Sequence, residues 1–426
     1  MTDNEIINRW KTLLNTKRFR NTRGKKTVDY NLNQYQRIPS DSDYTRISLS
    51  APFRRLQDKA QVFPLEKNDF ARTRLTHSIE VSGLAKSIGV SIDNILRENK
   101  HIDKDLFGHI PSILSVAGLI HDIGNPPFGH FGEKTIRLFF ENYFENNPFL
   151  SDEATFNLPF PSLASIIKYP ISSYESKYQK ENDKKEHPKF GYFQSEKERY
   201  LELDETLQLN GHRHPLVYLL ESADDIAYSV SDIEDGCKKG TVTWEILMDT
   251  LKSTDFASDN KCKSVSIYLE EKYKELSKID FPAKLLLIAQ KCRINVQSHM
   301  IQDIIKIFMD NHDKILKGEF KSELLEVSDS YLLRKFTKKL ATYNFNSKNV
   351  AKMELLGENV LSYLLTNFVN AVTSNNRYDS STKEGKLYNI ISEHYKYIYK
   401  KSLYPNELYK RLMLVTDYIS GMTDTY

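Results

Sequence analysis

The sequence predicts a mainly α fold on three observations. Apolar residues recur at helical spacing over 76–95 (Ile79, Leu84, Ile88, Ile92), 112–121, 215–235 and a train of segments across 244–426. No β-rich run occurs anywhere in the chain. The breakers Pro64, Pro126, Pro127, Pro282 and Pro405 fall between the periodic segments.

Residues 1–50 open with an amphipathic stretch (Ile6, Ile7, Trp10, Leu13, Leu14) and continue as polar, irregular sequence, so they predict an N-terminal arm lying across the body or a neighbouring subunit. Helical patterning starts near Phe53, is interrupted at Pro64 and resumes over 76–95. The run SILSVAGLIH at 112–121 is apolar nearly all round, which predicts a buried central helix. Two prolines and two glycines in NPPFGHFG make 125–132 a loop, with helix resuming over 133–144. The Pro-, aromatic- and Lys-rich stretch 145–211 reads as a lid-like insert. Helix returns over 215–235 and is expected to end at Gly236. Amphipathic helices then follow to Tyr426, broken at Pro282, at 373–381 and at Pro405.

At 426 residues the chain can bury a substantial core. Apolar residues make up 40% and charged residues 27%; 60 Lys and Arg against 57 Asp and Glu leave a net charge of +3, which selects no partner. Lysines gather over 177–189 and at Lys238-Lys239, where a solvated face accounts for them as well as an anionic ligand does. Three widely spaced cysteines, Cys237, Cys262 and Cys292, exclude a disulfide framework and a cysteine-based zinc site. With neither an apolar leader nor an apolar run of about 18 residues, the reading is a soluble, cytoplasmic protein without a membrane segment.

Four side chains carry the chemical argument: His77, the adjacent His121 and Asp122, and Asp224, each on a segment that reads as helix. Two imidazoles and two carboxylates make a mixed nitrogen and oxygen shell for one divalent cation, with positions left for water and a phosphate oxygen. Taken alone, His121-Asp122 fits a structural salt bridge; a buried carboxylate needs a partner, and a shared metal satisfies both groups at once. Asp224, Tyr228 and Asp232 lie at i, i+4 and i+8 on one helix face, suited to grip successive parts of an elongated substrate, whereas Asp225 points about 100° away. His130 and Glu133 stand at i and i+3, the spacing at which a carboxylate orients an imidazole for proton transfer. Arg74, three residues before His77, is placed to clamp phosphate. Lys189, Lys197 and Arg199 add positive charge from the insert, and no Gly-x-x-x-x-Gly-Lys-Ser/Thr loop is present.

The blocks FRRLQDKAQVFPLE (53–66), RTRLTHSIEV (72–81), AGLIHDIGNPPFGHFGE (117–133), KFGYFQSEKE (189–198), RHPLVYLLESADDIAYSVSDIEDG (213–236) and DYISGMTDTY (417–426) resemble the deoxyguanosinetriphosphate triphosphohydrolase family of the HD superfamily. The resemblance implies an HD-domain helical fold with additional C-terminal helices: an arm at 1–50, a catalytic core at 51–240 and a helical region at 241–426 packed on it. It implies hydrolysis of a deoxynucleoside triphosphate, dGTP foremost, to deoxynucleoside and inorganic triphosphate through attack at the α-phosphorus. His77, His121, Asp122 and Asp224 would hold one divalent ion, Mg²⁺ or Mn²⁺, and His130 with Glu133 would be the catalytic pair, His130 either attacking or acting as general acid or base. Arg74, Asn125, Lys189, Tyr228 and Asp232 would contact substrate, while Gln61 and Val62 would face the deoxyribose and leave a ribose 2′-hydroxyl unpaired against an apolar wall. Also implied are a homo-oligomer, a hexamer in preference to a tetramer, and control by nucleotides or single-stranded DNA. Two features depart from the family pattern: an Asn-Ala-Gln block is missing from ENNPFLSDEATFNLPFP (145–161), and the sequence stops at Tyr426 where relatives often continue the helix. The alternatives are another HD phosphohydrolase acting on nucleoside monophosphates or cyclic nucleotides, and a nucleotide- or DNA-binding regulator on the same scaffold.

Overall fold

The computed structural model describes residues 1–19, 38–61, 65, 72–145, 158–173, 175, 189–193, 196–345, 348–401 and 406–426; the side chains of His130, Glu141, Phe144, Glu145, Phe345, Lys348 and Asn349 are outside that description. Val62, part of the expected insert and part of the expected arm lie outside the described residues. Among those described, the fold is helical and the only β pairing is three isolated bridges. The helices that build the site and its supports are α1 (Asp3–Leu13), α2 (Pro39–Ser48), α3 (Arg74–Glu98), α4 (His109–Ile120), α5 (Gly129–Glu145), α6 (Pro215–Lys239), α7 (Ala283–Asp310), α8 (Tyr331–Phe345), α9 (Lys348–Thr373) and α10 (Glu407–Ser420). No helix among the described residues is long and apolar enough to cross a membrane.

Three apolar cores organise these helices, the smallest joining Ile47 of α2, Phe53 and Leu56 to Val116, Leu119 and Ile120 at the end of α4. The main core joins α1, α3, α4, α6 and α7 through residues such as Trp10, Ile88, Leu114, Ile226 and Val296, all fully buried. The opening helix of the expected arm is thus built into the body. Its indole N–H donates to His312 Nε2 at 3.1 Å, and its N-terminus is closed by a reciprocal Thr2–Glu5 capping box. The second core joins α9 and α10 (Leu361, Leu365, Val415, Ile419) to Phe128 and, along α5, to Ile136, Phe139 and Phe140. Each fully buried Leu, Ile or Phe contributes about 1.5–3 kcal/mol relative to exposure, so these cores hold their helices firmly.

The α3–α4 contact is unusually close because small residues line it. A Cβ on Gly118 would stand 2.5 Å from Ser82 Cα, and one on Gly89 would stand 2.8 Å from Pro111 Cα. Ser82 Oγ also donates to the Ser115 carbonyl at 2.7 Å. As expected of an apolar helix, α4 is buried from Ile110 through Ile120.

Three boundaries differ from the sequence expectation. Helix α5 starts at Gly129, earlier than the sequence predicts; the turn before it holds Phe128 and Gly129 at φ +62° and +60°, and a Cβ at Gly132 would stand 2.0 Å from the Pro127 carbonyl oxygen. Helix α4 begins at His109, after Gly108 at φ +81°. Helix α6 runs to Lys239 and is capped by Gly240 at φ +72°, whereas Gly236 lies inside it. A Cβ at Gly236 would stand 2.7 Å from Asn344 Oδ1 of α8, so that glycine serves helix packing.

Candidate metal centre

Local structure delivers the four sequence-selected groups to one place. Thr73 caps α3 by accepting from the Thr76 N–H while its own N–H donates to Thr76 Oγ1, which sets Arg74 and His77 in the first turn. His121 caps the C-terminus of α4, and Asp122 follows it. Asp224 sits midway along α6, which packs against both α3 and α4. The tight α3–α4 crossing brings the rings of His77 and His121 to a centroid separation of 5.3 Å.

One ligand atom from each of His77, His121 and Asp122 lies within 4.8 Å of the others. Asp224 Oδ1 reaches both imidazoles, at 3.0 Å from His77 Nε2 and 3.6 Å from His121 Nε2. The tautomer of His121 is set by its 2.7 Å contact to the Gly118 carbonyl, to which Nδ1–H donates, so Nε2 carries a lone pair into the cluster. That Nε2 is buried without a hydrogen-bond partner, and so is Asp122 Oδ2. Asp122 Oδ1 is held by Asn125 Nδ2 at 2.7 Å and by Arg74 Nη1 at 3.0 Å. A buried imidazole lone pair and a buried carboxylate oxygen, both unpartnered and on one cluster, fit a divalent cation.

The electrostatics agree. Burial depresses the His77 pKa, but the hydrogen bond and charge of Asp224, with Asp122 and Glu80 behind it, raise it overall. Burial raises that of Asp224, and His77, His121 and Lys168 outweigh it and hold the carboxyl low. The cluster therefore draws positive charge to itself. Further along α6, Tyr228 is half-buried and its phenol is pushed up by burial, then by Asp232 and Asp224. Asp232 is 2% exposed; burial, reinforced by Asp235, pushes it up to about 8, which keeps it protonated at neutral pH, and its Oδ2 has no partner. Asp225, on another face, pairs with Arg334 and Lys338 of α8.

The start of α5 adjoins this cluster. A Cβ on Gly129 would stand 3.5 Å from Arg74 Nη2 and 3.8 Å from the Gln61 carbonyl, so helix start, guanidinium and the Gln61 segment share one wall. Gln61 Oε1 is buried there without a partner. His130 is the second residue of α5 and Glu133 the fifth, both within its first two turns. Lys189 is exposed, its ammonium 5.6 Å from the Tyr169 ring. Lys168 lies at the same distance from that ring and pairs with Glu221 and Glu323, and its charge acts on Asp224. Nothing in the sequence marks this lysine; only the fold of 168–170 beside α6 discloses it.

The family model of the HD domain matches residues 74–169. A deoxyguanosinetriphosphate triphosphohydrolase-like protein from Listeria innocua is 37% identical over 467 residues, covering 98% of this chain and 97% of its own. One from Synechocystis sp. is 32% identical over 464 residues, covering 97% and 96%. A deoxyguanosinetriphosphate triphosphohydrolase from Yersinia pestis is 29% identical over 467 residues, covering 91% of each.

Proposed function

Because the chain belongs to the deoxyguanosinetriphosphate triphosphohydrolase-like family of metal-dependent HD-domain phosphohydrolases, we propose that it hydrolyses a deoxynucleoside triphosphate, dGTP foremost, to deoxynucleoside and inorganic triphosphate. The observation that carries this reading is the pair of buried, unpartnered atoms, His121 Nε2 and Asp122 Oδ2, on a cluster that also holds His77 and Asp224. These four residues hold one divalent ion, Mg²⁺ or Mn²⁺. When bound, it supplies Lewis-acid polarisation of a phosphoryl oxygen and offsets the charge that builds there.

The remaining residues bind, orient and move protons. Arg74, 2% exposed and facing Asp122, supplies planar positive charge for the phosphates, with Lys168 and Lys189 on the Tyr169 side. Asn125 fixes the Asp122 carboxylate. Gln61 Oε1 accepts from the sugar 3′-hydroxyl, and Asp232, protonated, donates to the same end of the substrate. His130, oriented by Glu133, supplies the proton transfer that departure of the deoxynucleoside 5′-oxygen requires. The assembly is a homo-oligomer, and residues 51–240 form its catalytic unit.

A panel of the four dNTPs and four NTPs, assayed with Mn²⁺ and with Mg²⁺, tests the reading. Triphosphate released from a dNTP, with ribonucleotides turned over at least about tenfold more slowly, is expected. Release of pyrophosphate or monophosphate in its place would transfer the site to another HD phosphohydrolase activity.

A further inference from the structure

Residues 421–426 lie on the wall of the site. Asp424 Oδ2 accepts the Ala60 N–H at 2.8 Å, and its Oδ1 accepts the Phe128 N–H at 2.9 Å. Its own N–H donates to the Asp58 carbonyl at 2.8 Å, and Thr425 Oγ1 donates to the Asp58 carboxylate. Beside it, Lys59 Nζ donates to the carbonyls of Asn125 and Ser420, both at 2.5 Å. One carboxylate thus joins two stretches distant in sequence. Ala60 precedes Gln61, while Phe128 is the residue from which α5 starts, two before His130.

Phe128 needs such a hold. It adopts φ +62°, a left-handed conformation that a bulky residue keeps only where its surroundings enforce it. Two contacts do so. Its ring is buried in the second core, pressed so closely on α9 that a Cβ at Gly357 would stand 2.7 Å from ring Cγ; its N–H is held by Asp424. A charged acceptor gives the stronger class of hydrogen bond, and both oxygens are used on backbone donors.

We propose that Asp424 is a positioning residue for the hydrolysis: it sets the register between the sugar-facing Ala60–Gln61 stretch and the start of the helix that carries His130 and Glu133. The proposal rests on the reading of His130 and Glu133 as the proton-transferring pair. The ligand cluster on α3, α4 and α6 is anchored in the main core and in the small cluster around Leu119 and Ile120, and it meets this link at Lys59, which donates to the Asn125 carbonyl and whose own carbonyl accepts the Arg74 N–H.

The test compares Asp424→Ala, Asp424→Asn and Gly357→Ala with the wild-type chain. Asp424→Ala is expected to lower kcat by about 10²-fold, the scale set by an ångström-sized misplacement, and to erode the preference for deoxyribonucleotides. Asp424→Asn, which keeps one strong acceptor oxygen, should lose about tenfold. Gly357→Ala presses on Phe128 alone, so kcat falls while the sugar preference holds. Mn²⁺ affinity by calorimetry and the thermal midpoint should stay near wild type in Asp424→Asn. Hydrogen exchange at the Ala60 and Phe128 amides should speed up in both Asp424 variants. A folded Asp424→Ala chain with wild-type kcat and sugar preference overturns the proposal, as does a parallel loss of metal affinity and turnover across the series. If the wild-type chain releases no triphosphate, the functional reading fails by itself; the register role is then decided by exchange, where unchanged protection of the two amides overturns it.

Discussion

The main and the second apolar core hold the two halves of the site in different ways. In the main core, three helices that are buried against one another present His77, His121, Asp122 and Asp224, each at a helix end or mid-helix, with His121 Nε2 and Asp122 Oδ2 left unpartnered. The other half rests on the second core: α5 packs its Ile136, Phe139 and Phe140 against α9 and α10, and it begins from a left-handed Phe128 held by contacts from residues 357 and 424. The difference teaches that the ligand cluster and the start of α5 rest chiefly on different packing. Damage to one core should therefore leave the function of the other measurable.

The largest effect should come from the ligands themselves. His121→Ala removes the cluster imidazole whose tautomer is set by the Gly118 carbonyl, and turnover is expected to fall by about 10⁴-fold or more, with Mn²⁺ affinity by calorimetry falling alongside it. His130→Ala sharpens the contrast: kcat should drop by about 10²–10⁴-fold while Mn²⁺ affinity stays at the wild-type value. Loss of metal binding in that variant would erase the division between the halves.

Leu365→Ala tests the second core without touching either set of residues. This fully buried leucine should yield about 2–5 kcal/mol of destabilisation. Hydrogen exchange should then accelerate over α5 and α10 before it does over α3 and α4, with kcat reduced and metal affinity kept.

Acid should separate the cores by a smaller amount. Burial pushes the neutral His214 down to about 4, and His312, through burial and then His101, also to about 4. His214 lies 3.0 Å from the Leu13 carbonyl and accepts from the Leu216 N–H, while His312 accepts from Trp10, so both seat α1. Their folded pKa values lie below the unfolded value, so the stability they contribute is present above about pH 6.5 and is lost as pH falls toward 4; at pH 5 each accounts for about 2 kcal/mol. In the second core, burial lifts Asp417 up to about 6, above its unfolded value, so that group contributes stability on acidification and loses it as pH rises through 6. Exchange measured at pH 7 and pH 5 should show α1 loosening while α10 does not.

Part of this division is legible in residue patterns. The helical segments follow from apolar spacing, because the period of a helix is a local property. The ligand types were selected because buried carboxylates and imidazoles need partners. Boundaries that depend on a neighbour were not legible: Gly236 reads as a helix stop, yet it is a packing glycine against Asn344, and the stop is Gly240. Likewise, the glycines of 129–132 read as loop, although the helix already runs from Gly129 and Gly132 is a close-packing position inside it. Lys168 and Asp424 carry no local signature, since a lysine or an aspartate has a role in a site only through what lies beside it.

The sequence by itself determined the helical class, the order of the segments and which side chains could bind a cation, since these follow from side-chain chemistry and short-range periodicity. Tertiary structure alone decided that Gly118 meets Ser82 and so brings two imidazoles together, and that Asp122 shares one oxygen with Arg74 and Asn125 while its other stays unpartnered. It alone placed Asp424 between Ala60 and Phe128. The reason is physical: apart from the local Asp122–Asn125 bond, each of these is a contact between atoms separated by tens to hundreds of residues, and only tertiary packing fixes such distances.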